Sequence, residues 1–199
     1  MAERSEVVYA VDASDAIVEV NPTWTEFAAV NGGEALVPPG IIGQSLWRFV
    51  ADPTTTSIYR SLFERIRGGA GDVRFSFRCD GPTVRRLLGM TIVTDRKGWL
   101  TFSVRTVRLE NRNRLDLLDP TVRRTGEHLR MCAWCRRIPD ASGAWTEIEK
   151  ALPSLGLFES GAMPALTHGM CEDCERSMME AIVDPTLAAS GSVSLGAFV

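Results

Sequence analysis

Alternating apolar and polar residues open the chain. Val7-Val8-Tyr9-Ala10-Val11 reads as a strand, Asp12-Ala13-Ser14-Asp15 as a turn, and Ile17-Val18-Glu19-Val20 as the returning strand. The period then lengthens. Asn21-Pro22 starts a helix, with Asn as its cap and Pro at its first position, and Asn31-Gly32-Gly33 stops it. Trp24, Phe27 and Ala28 form its inward face. Ile41 to Val50 reads as a short apolar helical turn after the Pro38-Pro39-Gly40 loop. Asp52-Pro53 opens the most regular helix: Ile58, Tyr59, Leu62, Phe63 and Ile66 make one stripe at helical spacing, and Gly68-Gly69 ends it.

Period two then returns. Val73, Phe75, Phe77 and Cys79 alternate with Arg74, Ser76, Arg78 and Asp80. Val84, Arg86, Leu88, Met90 and Ile92 share one face of a second run, and Leu100, Phe102 and Val104 share one face of a third. Asp80-Gly81-Pro82 and Lys97-Gly98 supply the turns. Two strands, several short helices and three strands predict an α+β fold with helices gathered on one side of an antiparallel sheet. The other face of that sheet carries Leu87, Val93, Trp99 and Val107, more apolar than a solvated face needs, which predicts a homodimer through this half. Residues 110–130 read as a connector broken by Asp119-Pro120, and 184–199 as a small-residue tail.

Composition adds limits. Hydrophobic residues make up 45% and charged residues 24% of the 199, ordinary for a globular protein. There is no run of 18 apolar residues, and Met-Ala-Glu-Arg-Ser-Glu lacks the apolar region of a signal peptide. A cytoplasmic protein without a membrane span is expected. The net charge of −3 is unevenly spread: residues 104–137 hold nine arginines against four acidic side chains. That stretch makes nucleic acid a second class of partner to weigh. The first reading is a solvated linker whose arginines pair with the acidic C-terminal part. No Gly-rich phosphate loop or nucleophile motif occurs, and no histidine in the first 120 residues could act as a general base, so no enzyme is expected.

The candidate chemistry lies in the cysteines. Four of the five sit in two CxxC pairs, Cys132-Ala-Trp-Cys135 and Cys171-Glu-Asp-Cys174. Two residues between thiolates let one tight turn present both sulfurs to one ion, and a second such turn completes a tetrahedron for Zn²⁺. Cys132, Cys135, Cys171 and Cys174 are therefore the expected metal ligands in a small unit spanning 131–183. Arg136 and Arg137 offset the negative charge of a four-thiolate site. His168, three residues before Cys171, is read as hydrogen-bonded near the metal, with direct ligation as the alternative. Trp145, Ile148 and Leu152 are expected on one helix face of this unit, and Met178, Met179 and Ile182 on another.

With these elements on the page, residues 5–109 resemble the PAS sensor-domain family. The residues carrying this are the Val7 to Val20 hairpin, Glu19-Val20-Asn21-Pro22-Thr23-Trp24, Ile42-Gly43-Gln44-Ser45-Leu46-Trp47 before the long helix, and the closing strands to Val107. The resemblance implies a five-stranded antiparallel sheet flanked by helices, often enclosing a small-molecule pocket. Trp24, Trp47, Phe75 and Phe77 are the candidates for lining it, with plain core as the other reading of the same residues. The ligand is not identified. A histidine-ligated haem is not expected, because His128 and His168 both lie outside this region, and the Asn-Cys-Arg pattern of photoactive flavin domains does not occur. Cys79 reads as a buried apolar cysteine.

The block from Cys132 to Cys174 is similar to a cysteine-rich tail of some bacterial PAS and receiver-type signalling proteins. The matching residues are Cys132-Ala-Trp-Cys135-Arg-Arg-Ile, Gly143-Ala-Trp145 and Thr167-His168-Gly169-Met170-Cys171-Glu-Asp-Cys174. Together these resemblances imply a non-enzymatic cytoplasmic sensor module acting through protein contacts. The other classes to weigh are a nucleic-acid-binding regulator and a thiol redox sensor that releases its metal on oxidation.

Overall fold

A computed structural model describes residues 6–50, 52–95, 97–157 and 161–183. The expected tail, 184–199, lies outside the described residues. Strands β1 (Val7–Val11) and β2 (Ile17–Val20) form the first hairpin. Its turn is held by Asp12, whose Oδ1 accepts from the backbone N–H groups of Ser14 and Ala16. Helix α1 (Pro22–Val30) follows, capped by the Asn21 side chain, which accepts from the Trp24 N–H. Helix α2 (Pro53–Arg67) is capped in the same way by Asp52 through the Thr55 N–H at 2.7 Å. Between them the Ile41–Val50 stretch forms only a 3₁₀ turn at Leu46–Arg48.

Strands β3 (Val73–Arg78), β4 (Val84–Thr94) and β5 (Leu100–Asn111) complete a five-stranded antiparallel sheet in the order β2-β1-β5-β4-β3. The inner face of the sheet packs on the α2 stripe. Ile58, Leu62, Phe63 and Ile66 meet Val11, Phe75, Ile92, Leu100 and Phe102, all buried. The two periods, 3.6 and 2, are thus satisfied against each other. On the outer face Leu87, Val93 and Trp99 are half-buried and Val107 is exposed.

Beyond β5 the stretch read as a connector packs on the protein through Leu115, Leu117, Leu118 and Val122, and its last part is a strand. Leu115 and Leu117 are buried, and residues 124–132 form strand β6 (Arg124–Cys132). Strands β7 (Ile138–Pro139) and β8 (Trp145–Thr146) pair with each other and are followed by helix α3 (Ile148–Ser154). Strand β9 (Met163–Gly169) then returns to pair in parallel with β6, and helix α4 (Glu172–Val183) closes the unit. A second core joins the stretch read as connector to this unit: Leu115, Leu117, Met131, Ile138, Ile148, Leu152 and Met163. The fold is therefore α+β, with a five-stranded antiparallel sheet, four helices among the described residues and a four-cysteine cluster near the C-terminal end.

Two expected helix faces differ. Ile148 and Leu152 are buried on α3, whereas Trp145 sits on β8, its ring under the Arg130 guanidinium at 5.5 Å. Met178 is buried, while Met179 is 48% exposed and faces away from the core.

Candidate metal centre

The parallel pairing of β6 with β9 sets Met131 opposite His168 and Cys132 opposite Gly169. Both strands run the same way, so both deliver their CxxC segments to one end. The first segment turns back on itself: the Cys132 N–H donates to the Arg137 carbonyl at 2.8 Å and the Arg136 N–H to the Cys132 carbonyl at 3.1 Å. Arg136 takes a left-handed φ of 62°, which tightens this turn. The second segment leads into α4, placing Cys174 in the first turn of the helix, where the dipole favours a thiolate.

The four sulfurs converge. Cys132, Cys135, Cys171 and Cys174 are all buried and their Sγ atoms lie within 4.8 Å of one another. Cys135 and Cys171 are 3.7 Å apart, and none of the four is in a disulfide. A tetrahedral zinc with Zn–S bonds of about 2.3 Å would set neighbouring sulfurs about 3.8 Å apart. The Cys171 N–H points at Cys132 Sγ over 3.5 Å, a contact that stabilises a metal-bound thiolate. As bare thiols the four share protons unequally. Hydrogen bonds with Cys135, Cys171 and Cys174 hold Cys132 far below the ordinary thiol value, while contacts with Cys132 push Cys135 and Cys174 up. Four thiolates together require a cation. The donor set, burial and spacing could hold a metal ion, and they fit zinc.

His168 stands apart from this group. Its Nε2 lies 3.3 Å from Arg136 Nη1. Arginine can only donate, so Nε2 accepts and the ring proton sits on Nδ1. Desolvation first, then the Arg136 charge, keep the imidazole below its ordinary value, against the pull of Asp52.

The centre is joined to the sheet by contacts that the spacing of the cysteines did not signal. Trp134, between Cys132 and Cys135, is only 4% exposed. Its ring packs against Tyr59 of α2 and Phe75 of β3, each with centroids 5.6 Å away. Its carbonyl accepts from the Arg78 N–H at 2.7 Å, and Arg136 Nε donates to the Arg78 carbonyl at 3.1 Å. The first cysteine turn thus docks on the end of edge strand β3. The four cysteines belong to the same core as Phe63 and Phe102, not to a miniature core of their own.

A buried ion network lies beside this junction. Arg78 pairs with Asp80 and, at 2.7 Å, with Glu147; their side-chain exposures are 6%, 0% and 28%. Arg85 and Arg112 extend it to Glu149. Burial lowers the tendency of Arg78 to stay charged, but hydrogen bonds and charges from Asp80 and Glu147 more than reverse this and raise it. Glu147 precedes α3 without capping it, its carboxylate being engaged by Arg78. Charged residues at these positions read as surface in the sequence, and only their mutual contact makes burial tolerable.

The candidate small-molecule pocket is partly reassigned. A cavity of about 460 Å³ lies between α1, the turn after it, and the inner faces of β1, β3, β4 and β5. Trp24 and Phe77 line it, together with Tyr9, Leu88 and Met90. Cys79 is half-buried on its wall, not sealed in the core. Trp47 and Phe75 point elsewhere: Trp47 packs on Phe63 and under Arg60, and Phe75 on Tyr59 and Trp134.

No family model matches the chain, and no curated protein matches it. Among solved structures it is similar to a C-terminal domain from Streptococcus mutans, at 15% identity and a TM-score of 0.38, over 52% of this chain and 76% of that one. Likeness at this level carries no argument for function. The molecule is defined by its own features: an α+β chain with a five-stranded antiparallel sheet and a buried four-cysteine group able to hold a metal. Among the described residues, no helix is long and apolar enough to cross a membrane.

Proposed function

We propose that this protein is a non-enzymatic signalling module: a PAS-like sensor half, joined rigidly to a structural zinc centre, acting through protein contacts as a homodimer. The observation that carries this reading is the seat of Trp134. The loop between two metal ligands is packed into the core that also forms the floor of the sheet half. A change in the sheet half is thereby felt at the cysteine centre and at the surface around it. The apolar cavity behind Trp24 and Phe77 supports small-molecule sensing, and the exposed Val107 on the outer face, beside the half-buried Leu87, Val93 and Trp99, supports self-association.

Other readings draw less from the molecule. Seven of the nine arginines in 104–137 already contact protein groups. Arg112 and Arg114 pair with acids, as do Arg108 and Arg137; Arg124 donates to three carbonyls, Arg130 covers Trp145, and Arg136 binds Arg78. A nucleic-acid surface would hold them free. Burial of all four sulfurs favours a structural metal over a redox-released one. Native mass spectrometry of protein purified without added metal tests the proposal. One zinc per chain in a two-chain species is expected; a metal-free chain, or a monomer at high micromolar concentration, would overturn it.

A further inference from the structure

The 460 Å³ cavity under α1 lies within the ordinary range for small-ligand sites, and its walls narrow what it can hold. None of the described residues lining it is Asp, Glu, Lys, Arg or His. A charged ligand held there would lose hydration without gaining a counter-charge. The cavity also meets the last turn of α1 at Ala28 and Asn31. The helix dipole is negative at this end, which disfavours an anion further. The carbonyls there are not free to receive a cation. That of Phe27 accepts from Asn31 Nδ2 at 2.7 Å, and that of Ala28 from the Asn31 and Gly33 N–H groups at 3.2 and 2.8 Å.

Rings form much of the wall. Tyr9 stacks on Phe102 with centroids 4.4 Å apart, and Trp24 meets Tyr9 edge-on at 5.2 Å. Phe27 and Phe77 add two more rings. Such walls suit a planar aromatic body. The Trp24 indole N–H is already taken by the Leu36 carbonyl at 2.7 Å. The Tyr9 phenol is not taken. No hydrogen bond engages it among the described residues, and its oxygen is not sealed from a water-sized molecule as Thr55 Oγ1 and Trp134 Nε1 are. Burial, and then the neighbouring Tyr59, push this phenol well above its ordinary value. It therefore stays protonated and can either donate or accept.

We infer that this cavity takes an uncharged, planar aromatic molecule carrying one polar group, which hydrogen-bonds to the Tyr9 hydroxyl. The inference rests on the sensor reading above and names the ligand class for its site.

The test is a titration of the zinc-loaded full chain with 2-naphthol, followed through the indole N–H resonances by NMR. 2-Naphthoate and 2-naphthylmethylamine serve as the anionic and cationic counterparts. 2-Naphthol should shift the Trp24 indole resonance saturably and bind roughly tenfold or more tightly than either counterpart, since each of those buries an unpaired charge. Tyr9→Phe keeps the ring stack and should weaken 2-naphthol about two- to tenfold, the worth of one neutral hydrogen bond. Binding of the naphthoate or the amine as tightly as 2-naphthol, with the same Trp24 shift, would overturn the inference and leave a sensing cavity in place. Unchanged 2-naphthol affinity in a folded Tyr9→Phe protein, or movement of the Trp134 resonance in place of Trp24, would also overturn it. No saturable shift from any of the three up to its solubility limit would overturn both the inference and the cavity's part in the sensor reading.

Discussion

Trp134→Ala tests whether the cysteine centre and the sheet share one core. The side chain is 4% exposed and wedged between Tyr59 and Phe75. Truncating a buried Trp to Ala costs about 3–5 kcal/mol through lost burial and the cavity left behind. Part of this is offset, because the indole Nε1 has no partner and its removal relieves a penalty on the order of 1 kcal/mol. The net loss is about 2–4 kcal/mol. The backbone bond from Arg78 to the Trp134 carbonyl does not depend on the side chain and remains. With a urea slope of about 2 kcal/mol per molar, the midpoint should fall by about 1–2 M. The assay follows unfolding by circular dichroism and metal release by a zinc indicator in the same titration. With one shared core, both probes move together in a single transition. Trp134→Phe, which keeps a ring and deletes the unpaired N–H, should lie within about 1 kcal/mol of wild type. If Trp134→Ala moves metal release to lower urea while the sheet transition stays in place, the two halves have separate cores and the reasoning fails.

Cys132→Ser or Cys171→Ser should lose the metal and, by hydrogen exchange, expose residues 131–174 together with the end of β3, which the Trp134 carbonyl holds; His168→Ala should keep the metal, since His168 stands outside the cysteine group. Full protection of 131–174 in a metal-free Cys132→Ser protein would contradict this. Arg78→Met leaves the fully buried Asp80 with the Arg112 guanidinium at 3.3 Å and the Arg86 N–H at 3.2 Å, and should destabilise by about 3 kcal/mol, with Arg78→Met/Asp80→Leu recovering much of the loss; denaturant melts showing a change under about 1 kcal/mol for the single variant would refute the network's role. Acid should weaken the fold. Burial alone would raise Glu149, but its own backbone N–H and Arg85 more than compensate and hold it below the ordinary carboxylate value. A carboxylate depressed in the folded state stabilises above its unfolded value, and that stabilisation is lost as pH falls through the lower, folded one. Thermal melts should therefore drop below about pH 4.5, the Glu149→Gln variant less steeply, and metal should be released in the same direction as protons compete for the thiolates.

Much of the molecule is written in local pattern. Asn21-Pro22 and Asp52-Pro53 start helices because a capping side chain and a fixed φ act within one turn, and both caps form as the residues demand. The alternation from Val73 to Val104 specifies which face of the sheet is buried, since period two is a property of the strand itself. Each CxxC pair marks a two-sulfur turn because that spacing is also local, and the pairing of β6 with β9 brings the two turns into one group that could hold a metal. What the tertiary structure decided is everything that depends on residues far apart in sequence. The polar run Arg124–Cys132 shows no strand alternation and becomes one only through β9, about forty positions on. Arg78, Asp80, Glu147 and Arg112 look like surface charges one by one; their burial follows from being brought together. Trp24 and Phe77 meet at a cavity while Trp47 and Phe75 turn to other partners, because aromatic spacing gives a face but not the neighbour across it. Trp134 had the most hidden role. Its position between two ligands marked it as part of the metal turn, but only the approach of α2 and β3 made it the contact through which that turn joins the sheet.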